Sequence, residues 1–414
     1  MKLSEVLIER GFIYQHTGGS IAEITDKEKR VVYLGIDPTA DSIHVGNLAV
    51  YMMLRHFVAD GHKVILLVGG GTGLIGDPKA TEERPLMDEK EVTRRVERIQ
   101  PQVARLVGAE VEVVNNADWL LKINLIDFLR EVGKHFTVNA LMKKEIMSER
   151  LEHEIPLSYT EFAYPLLQAY DFLHLNETRN VDVQVGGSDQ WTNITAGVEL
   201  IHKKVGKTVH ALTTPLVVDK TTGKKFGKSE GNAVWLDPEK TSPFTFYQFW
   251  LNVDDANVHD YLLRYTLMSV ADIEKLIQDH EVEPSDRKAQ RALAWEVTNL
   301  IHGKAQADAS ARISEVLFGG VELASLTELE QNMLKDSAPK ASAKAGDPII
   351  DVLVTSHLAQ SKREAREFVE SGAITLSGTK ITDPQYAISD SDFKNGLALL
   401  RRGKRNVSVL TNNA

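Results

Sequence analysis

The stretch VVYLGIDPTADSIHVGN, residues 31–47, decides the fold of this chain. Val31–Ile36 is rich in β-branched and aromatic residues and predicts a buried strand. A polar loop follows, and a helical pattern then runs over about residues 43–60, with Gly61 in the position after the helix cap. Because Lys63–Val68 predicts a second strand, the segment forms a βαβ unit, which implies a parallel sheet.

The rest of the chain divides by the type of pattern. Strand-like runs at residues 111–114, 181–185 and 216–218 alternate with helical patterns, which predicts a doubly wound, Rossmann-like α/β domain over residues 1–220, with a helical insertion at about 120–165. Periodic helical segments then indicate an all-helical domain within residues 221–330. Residues 331–346, rich in Ala, Ser, Lys and Pro, predict a flexible linker before a small α+β domain at 347–414.

The composition excludes several classes of protein. With 43% hydrophobic and 26% charged residues, the 414-residue chain is neither collagen-like nor disordered as a whole. The absence of cysteine excludes disulfides, iron–sulfur clusters and thiolate zinc sites. Apolar runs far shorter than a membrane span and a charged amphipathic N-terminus predict a cytoplasmic protein without a membrane segment. The net charge of −10 is unusual for a nucleic-acid binder.

The run GTGLIG at residues 71–76 matches the G-x-G-x-x-G pattern of dinucleotide-binding proteins directly after a predicted strand. Its context argues against an NAD site. Asp77 and Pro78 follow at once, where the phosphate-binding helix should run, and proline is poorly tolerated there. We therefore interpret the run as a glycine-rich strand end that a ligand or another stretch of backbone approaches.

Two short motifs suit phosphate chemistry. His44 and Asn47 of the sequence HVGN fall at the start of the first long helix, where free N–H groups and a partial positive charge favour polyphosphate. Lys225 and Lys228 of the sequence KFGKS are three residues apart in a loop, which suits a clamp on a transferring phosphate. Taken singly, a histidine on a helix surface and a solvated lysine loop are the plainer interpretations.

A third pattern concerns the tyrosine-rich helix near residue 165. If Pro165 is its first helical position, Tyr164, Gln168 and Asp171 share one face, which indicates either a polar pocket or an exposed face. The run GGSDQW at residues 186–191 follows a predicted strand. Since ligands of open α/β sheets bind beyond the carboxyl ends of strands, four residues are expected on one rim: Gly35, Asp37, Asp77 and Asp189.

Together these motifs resemble the class I aminoacyl-tRNA synthetases. HVGN is similar to their HIGH signature and KFGKS to their KMSKS signature, in the same order and roughly 180 residues apart. The resemblance sharpens to bacterial-type tyrosyl-tRNA synthetases over nearly the whole chain, through YLGIDPTADSIHVGN, VGGGTGLIGDP, LLQAYDFLHL, VGGSDQWTNITAG, KTSPFTFYQFW and RRGKR. It implies that L-tyrosine is activated with ATP and transferred to the 3′-terminal ribose of tRNA(Tyr) by a homodimer, with Mg²⁺ accompanying ATP and no tightly bound, protein-ligated metal.

The resemblance also implies residue roles. The catalytic residues, which would contact the polyphosphate, are Thr39, His44, Lys225 and Lys228. The residues that would bind tyrosine are Tyr33 and Asp171 at its hydroxyl, Asp77, Tyr164 and Gln168 at its ammonium group, and Gln190 at its carboxylate. The residues that would bind ATP are Gly35, Asp37, His44, Asn47, Gly187, Asp189 and Lys228.

The last domain resembles a small RNA-binding module shared with ribosomal proteins. Its 9 Lys and Arg outnumber its 8 Asp and Glu, so basic patches and not the total charge would contact phosphates. The residues expected to contact tRNA are Lys362, Arg363, Arg366, Arg401 and Arg402. A solvated charged helix is the alternative interpretation.

The sequence departs from the family pattern at two places, and rival functions stay open. Asn47 replaces the second signature histidine, and the loop after Asp77 is one residue shorter than the common form, which leaves Lys79 and Arg84 uncertain as pyrophosphate contacts. A tryptophanyl-tRNA synthetase shares the class signatures, although Tyr33 and Asp171 favour tyrosine. A non-catalytic RNA-binding relative and the NAD oxidoreductase are the further alternatives.

Overall fold

The structure, a computed structural model, describes residues 1–79, 82, 84–108, 111–223, 228–229, 232–319, 321–337, 339–403 and 406–412. Its strands are β1 (Gln15–His16), β2 (Val31–Ile36), β3 (Lys63–Val68), β4 (Glu112–Asn115), β5 (Val183–Gly187), β6 (His210–Thr214), β7 (Lys228–Ser229), β8 (Asn232–Ala233), β9 (Lys340–Ala343), β10 (Ile374–Leu376), β11 (Thr379–Ile381), β12 (Leu397–Arg402) and β13 (Asn406–Asn412). Its α-helices are α1 (Leu3–Glu9), α2 (Ile21–Thr25), α3 (Val45–Ala59), α4 (Glu89–Val107), α5 (Ala117–Leu120), α6 (Leu125–Glu131), α7 (Val138–Leu141), α8 (Glu145–Glu152), α9 (Tyr159–Arg179), α10 (Trp191–Val205), α11 (Pro243–Leu251), α12 (Asp255–Tyr265), α13 (Val270–Val282), α14 (Lys288–His302), α15 (Lys304–Ser314), α16 (Glu328–Ser337), α17 (Ile349–Thr355) and α18 (Lys362–Glu370).

A six-stranded sheet in the order β1-β6-β5-β2-β3-β4 forms the centre of the first part of the chain. The strands from β2 to β6 are parallel, and β1 pairs with β6 in the antiparallel sense. Because the chain proceeds from β2 toward β4 on one side and from β5 to β6 on the other, the strand order reverses between β2 and β5. The predicted doubly wound parallel sheet is confirmed, and this reversal marks the place where a ligand is expected.

Helices cover the two faces of the sheet, so its central strands are buried on both sides. Tyr33, Ile65 and Leu67 pack in one hydrophobic cluster with Phe172 of α9 and Leu200 of α10. The alternating residues of β2 and β3 are also buried, on the face that α3 and α4 cover. Such double burial explains the nearly continuous apolar runs at these strands.

Two predicted strands have other bounds in the structure, and a third is absent from its predicted position. The observed β4 and β5 are shifted by one and two residues from the predicted runs. The prediction of a strand at 216–218 is wrong, because the strand in this part of the chain is β6, which ends at Thr214. Pro215 follows directly and has no N–H to continue the ladder, and Leu216 and Val217 instead line a cavity.

The helix α9 begins earlier than predicted. Its first residue is Tyr159, so Pro165 lies inside the helix and does not start it. Ser158 caps the helix, since its hydroxyl accepts a hydrogen bond from the backbone N–H of Glu161 at 3.3 Å. The S-x-x-E pattern was therefore the stronger start signal.

The chain forms two compact units, Met1–Asp237 with Asp254–Glu283, and Pro238–Val253 with Pro284–Ala414. This division differs from the predicted boundaries, because α12 and α13 belong to the first unit. The guanidinium group of the buried Arg10 explains part of the difference, since it donates to the carbonyls of Leu263 and Thr266 at 2.7 and 2.9 Å. Within the described ranges, no helix has both the length and the apolar character that a membrane span requires.

In the second unit, helices and a small sheet share one hydrophobic core. The sheet has the order β11-β10-β12-β13-β9. The structure does not agree with a flexible linker at 331–346, because α16 covers its beginning and β9 pairs in parallel with β13. The buried Leu334 of α16 packs with Leu397 and Val409 of the sheet. Ala and Ser in β9 suit a closely packed edge strand as well as a linker. Composition alone therefore led to the wrong prediction of a linker.

The contact between α9 and α10 generates a test of the fold. A Cβ atom on Gly197 would lie 2.9 Å from Cδ1 and 3.0 Å from Cβ of Phe172. Because the Phe172 Cβ is fixed to its helix, we expect Gly197→Ala to lower the free energy of unfolding of the first unit by about 1–3 kcal/mol. Calorimetric melting measures the change, and Glu199→Ala, exposed on the same helix, should alter it by less than about 0.5 kcal/mol. Equal melting of the two variants would contradict the close packing.

Candidate active site

A cavity of about 320 Å³ lies at the carboxyl ends of β2 and β5, where the strand order reverses. All four residues expected on the rim line it. The sequence-predicted site residues in its lining are Tyr33, Gly35, Asp37, Thr39, Asn47, Asp77, Tyr164, Gln168, Asp171, Gly187, Asp189 and Gln190. The cavity therefore gathers side chains that lie as far as 157 positions apart in the sequence.

Three further residues are expected to contact phosphate, namely His44, Lys225 and Lys228. His44 is the N-cap of α3, and its Nδ1 accepts a hydrogen bond from the Gly46 N–H at 3.0 Å. Its ring stands edge-on to Trp235, and His44 is not among the residues that line the cavity. Lys225 lies outside the described residues, as does the side chain of Lys228 in β7.

One end of the cavity holds a hydroxyl group with an unmet hydrogen-bonding capacity. Tyr33 is 1% exposed, and its hydroxyl has no hydrogen-bond partner among the described residues. Burial and then the charge of Asp171 hold the pKa of Tyr33 well above its usual value. Since buried polar groups are nearly always hydrogen-bonded, we expect this hydroxyl to bond a polar group of a ligand.

Asp171 is the acceptor beside that hydroxyl. Its two carboxylate oxygens accept hydrogen bonds from Trp119 Nε1 at 2.7 Å and Asn116 Nδ2 at 2.9 Å. Burial raises the pKa of Asp171 to about 7, although both hydrogen bonds act in the opposite direction. The carboxylate is thus oriented by two donors and retains lone pairs for a third.

A chain of hydrogen bonds joins Asp171 to Asp37. Asn116 Nδ2 donates also to Thr72 Oγ1 at 2.9 Å, and Thr72 Oγ1 donates to Asp37 Oδ1 at 2.6 Å. The Tyr164 hydroxyl donates to the other oxygen of Asp37 at 2.9 Å. Burial raises the pKa of Asp37, which these two hydrogen bonds oppose. The chain fixes both carboxyl groups in the cavity wall.

Asp77 adds a further buried carboxyl group. It accepts hydrogen bonds from Gln190 Nε2 at 2.8 Å and Asn193 Nδ2 at 3.0 Å. Burial raises the pKa of Asp77 to about 6, and the negative charges of Asp37 and Asp189 contribute in the same direction. Because a nearby cation stabilises the ionised form of a buried carboxyl group, the surroundings of Asp77 favour an ammonium group.

Other residues of the cavity lining favour an anion. Gly46 and Asn47 in the first turn of α3 line it, and the start of this 15-residue helix carries a partial positive charge. Arg84 also lines the cavity, and its Nε donates to the carbonyl of Asp77 at 2.8 Å. Within the described ranges, no group of three or more His, Asp or Glu side chains is arranged to hold a metal ion. The arrangement suits a zwitterionic amino acid next to a polyphosphate.

Sequence reasoning missed the residues that orient the carboxyl groups, namely Thr72, Asn116, Trp119 and Asn193. One signal was available. Asn116 follows β4, so the rule that ligands bind beyond strand ends applies to it as well as to Asp37. The others are recognisable only once the chain is folded.

The glycine-rich run after β3 makes room for two polar side chains, those of Asp37 and Asn115. A Cβ on Gly69 would lie 2.1 Å from Asp37 Oδ1, and one on Gly70 would lie 2.2 Å from Asn115 Oδ1. The run continues as a 3₁₀ turn at Thr72–Leu74 and not as a phosphate-binding helix. Other groups therefore approach the strand end closely, as expected. These groups are side chains and not a ligand or another stretch of backbone.

The basic residues of the second unit divide between two faces. Lys362, Arg363 and Arg366 are exposed on α18. The Arg402 guanidinium lies over the ring of Phe368 of that helix, 4.7 Å from its centroid. Arg401 turns the other way, where it is half-buried and donates to the Val316 carbonyl. Adjacent residues of a strand point to opposite faces, so the expectation that Arg401 also contacts tRNA does not agree with its placement.

The fold and the cavity define the class of protein. Residues 25–319 match the model of the family tRNA synthetases class I (W and Y). Residues 328–410 match that of the Tyrosine--tRNA ligase SYY-like C-terminal domain, which includes the stretch predicted as a linker. The family model thus agrees with the class I signatures HVGN and KFGKS and with the parallel sheet.

The relatives specify the amino acid. A Tyrosine--tRNA ligase from Streptococcus pneumoniae (strain CGSP14) is 46% identical over 420 residues, which cover 99% of this chain and all of the relative. A C-terminally truncated mitochondrial tyrosyl-tRNA synthetase from Aspergillus nidulans has a TM-score of 0.70 and 30% identity, over 77% of this chain and 94% of that one. A tryptophanyl-tRNA synthetase from Encephalitozoon cuniculi bound to tryptophan, with a TM-score of 0.55 and 12% identity over 80% and 91% of the chains, shares the fold alone. The chain belongs to the tyrosine–tRNA ligase family, as the sequence motifs predict.

Two tyrosines of the cavity offer a matched pair of variants. Tyr33→Phe removes a hydroxyl without a protein partner, so we expect the unfolding midpoint of the free protein to stay the same or rise. Tyr164→Phe removes a donor from the buried Asp37, so we expect a loss of about 1.5–3 kcal/mol in the free energy of unfolding. Urea unfolding at pH 8 without substrates measures both, and equal losses would show that the Tyr33 hydroxyl is bonded in the free protein.

Proposed function

We propose that this cavity is where the tyrosine–tRNA ligase binds and activates tyrosine, with Tyr33 and Asp171 at the phenolic hydroxyl. The observation that carries the proposal is the buried Tyr33 hydroxyl without a partner beside a buried carboxyl group. A substrate hydroxyl would donate to Asp171 and accept from Tyr33, so each group gains its missing partner. A site built this way rejects the analogue that lacks the hydroxyl because its buried groups stay unpaired, as tyrosyl-tRNA synthetases themselves illustrate.

The amino-acid backbone of tyrosine would be held at the acidic part of the cavity. Asp77 supplies the charge for the ammonium group, and Tyr164 and Gln168, on the same side of α9 as Asp171, supply further polar contacts. Gln190, hydrogen-bonded to Asp77 in the free protein, is the residue proposed for the carboxylate. Binding of the ammonium would stabilise the ionised form of Asp77, whose pKa burial raises to about 6.

ATP would occupy the adjoining part of the cavity, between the ends of β2 and β5. The residues proposed to bind it are Gly35, Asp37, His44, Asn47, Gly187, Asp189 and Lys228, with Thr39, His44, Lys225 and Lys228 at the polyphosphate. The tyrosine carboxylate attacks the α-phosphorus and displaces pyrophosphate, and no general base is needed because this nucleophile is ionised at pH 7. Donors placed where negative charge develops lower the barrier, and Mg²⁺ would enter with ATP.

The second step transfers the tyrosyl group to the terminal ribose of tRNA. The exposed basic residues of α18, Lys362, Arg363 and Arg366, are proposed to contact the tRNA backbone, together with Arg402. Two of them make ion pairs within the unit, Lys362 with Asp351 at 2.7 Å and Arg363 with Glu367 at 3.1 Å. Because exposed ion pairs contribute little, these side chains remain available to phosphates.

The homodimer would form through the helices between β4 and α9. Of the 18 exposed large hydrophobic side chains among the described residues, 7 fall within residues 121–159. They are Leu121, Leu125, Ile126, Leu129, Val138, Leu151 and Tyr159, each between 40% and 72% exposed. Proteins that stay monomeric rarely expose so many apolar groups in one region, so a second copy of this chain is the proposed occupant.

Tyrosine-dependent exchange of pyrophosphate into ATP tests the proposed site. We expect Asp171→Asn to lower kcat/KM for tyrosine by about 100-fold or more, because a buried carboxylate is the acceptor of the substrate hydroxyl. The KM for ATP should change by less than about threefold, since ATP does not contact this carboxyl group. Similar losses toward both substrates, or exchange that depends on tryptophan instead, would contradict the assignment.

The pH dependence of the same assay follows from the raised pKa values. Asp171, with a pKa of about 7, and Asp77, with a pKa of about 6, must be ionised to accept the hydroxyl and the ammonium group. Protons therefore compete with tyrosine, and its kcat/KM should fall by about 20-fold between pH 8 and pH 6, about tenfold of it from Asp171 and about twofold from Asp77. The Asp171→Asn variant should lose the step near pH 7, and a wild-type profile that stays level over this range would disprove the assignment.

Light scattering with size-exclusion chromatography tests the dimer. We expect the wild-type chain to be dimeric at micromolar concentration and Val138→Asp to be monomeric, because a charge in the apolar patch cannot be buried without a partner. Val282→Asp is the matched control, since Val282 is 83% exposed on α13, outside residues 121–159. A monomeric wild type, or dissociation by both variants alike, would contradict the proposed surface.

A further inference from the structure

A buried ion pair outside the cavity binds the loop that follows Asp77. Arg150 of α8 is 0% exposed and Glu161 of α9 is 2% exposed, and Arg150 Nη2 donates to Glu161 Oε2 at 3.0 Å. Neither residue lines the cavity. Both belong to the first unit and come from consecutive helices, so their positions are set by the helical scaffold.

The remaining hydrogen bonds of the pair are directed at the backbone of this loop. Arg150 Nη1 donates to the carbonyls of Lys79 and Glu82, each at 2.7 Å. Glu161 Oε1 accepts from the backbone N–H of Arg84 at 3.2 Å. Three points of a six-residue stretch are thus held by one ion pair, and Arg150 Nη2 also donates to the Pro156 carbonyl next to α9.

The loop matters because of where Arg84 lies. Arg84 is the only Lys or Arg among the described residues that line the cavity, where carboxyl groups predominate. Its side chain is also joined to the end of the loop, since its Nε donates to the carbonyl of Asp77. Its backbone N–H is one of the three points that the ion pair holds. A shift of this backbone would therefore move the cation within the cavity.

Stability alone is a poor explanation of this pair. Removing two charges from water costs more than their attraction recovers in many proteins, and apolar replacements are often as stable. The pair is also incompletely satisfied, because the buried Arg150 Nε has no hydrogen-bond partner among the described residues. What an apolar pair could not supply is the set of donors and acceptors that holds the loop.

We propose that Arg150 and Glu161 are positioning residues for activation, which hold the backbone at Lys79, Glu82 and Arg84 so that Arg84 meets the phosphates of ATP. The inference rests on the proposed function in one respect, that ATP occupies the part of the cavity that Arg84 lines. It assigns the pair no contact with either substrate. The pair acts on the phosphate side of the reaction and leaves the tyrosine side unaffected.

The test replaces the pair by apolar residues of similar size, Arg150→Met with Glu161→Leu. We expect a melting temperature close to that of the wild type and a Kd for tyrosine within about twofold, because the tyrosine contacts are untouched. The rate of tyrosyl-adenylate formation at fixed ATP should fall by about 100-fold, as a displaced contact of this kind can cost. The partly exposed pair Arg179 and Glu112, replaced in the same way, is the control and should leave all three quantities unchanged.

Arg84→Ala, made in the wild type and in the apolar double variant, shows whether the pair acts through Arg84. If it does, the effect of Arg84→Ala is large in the wild type and nearly absent in the double variant. Additive effects, full activity of the double variant, or a parallel loss of tyrosine affinity would each overturn the proposal. If the double variant does not fold, Glu161→Gln, which keeps the size of the side chain, takes its place with the same criteria. Absence of exchange by the wild type would instead refute the proposed function.

Discussion

The burial of several carboxyl groups in one cavity is the constraint on which the rest of the first unit depends. An isolated carboxylate removed from water loses far more than one hydrogen bond returns, so each of these groups needs donors on fixed elements. Asp171 has Asn116 and Trp119, Asp37 has Thr72 and Tyr164, and Asp77 has Gln190 and Asn193. Their donors come from the segments that follow β3, β4 and β5 and from α5, α9 and α10. The sheet can hold this cavity only if all these ends meet at one edge, as they do in a parallel arrangement.

The same constraint explains why the cavity has two chemically distinct parts. The carboxyl groups of Asp37, Asp77, Asp171 and Asp189 line the cavity, and the start of α3 and Arg84 supply positive potential in the same lining. A zwitterionic substrate with a polyphosphate partner matches both parts at once. The pKa values of Asp77 and Asp171, raised by burial to about 6 and about 7, show how far the free cavity is from electrostatic balance. The ammonium group of tyrosine, if bound as proposed, would restore that balance, so binding energy would come from relief of an unfavourable state as well as from contacts.

The sequence predicts the central strands and the substrate-binding residues better than it predicts the outer segments and the residues that orient the site, for physical reasons. β2 and β3 have the predicted bounds because strands buried on both faces are continuous apolar runs. The strand predicted at 216–218 fails because Pro215 stops the ladder one residue earlier, and the linker at 331–346 fails because Ala and Ser suit an edge strand too. Residues that bind substrate belong to motifs and are recognisable in one sequence. Residues that orient them, such as Asn116, bond across distances of 44 and 55 positions that no local pattern records.

The acidic total of the chain is compatible with its polyanionic partners because electrostatic effects are local. Screening limits the reach of exposed charges to about 10 Å at 0.1 M salt, so a net charge of −10 spread over 414 residues does not decide what one surface binds. The basic residues of α18 lie on one exposed helix, and Arg84 lies inside a cavity of the other unit. Under the proposed function, each would act on phosphates within its own reach. Arg401 shows the converse, since its sequence neighbourhood is basic while its guanidinium group is occupied by the Val316 carbonyl. Position on a surface, and not composition, therefore determines which of the 48 Lys and Arg residues can meet a phosphate.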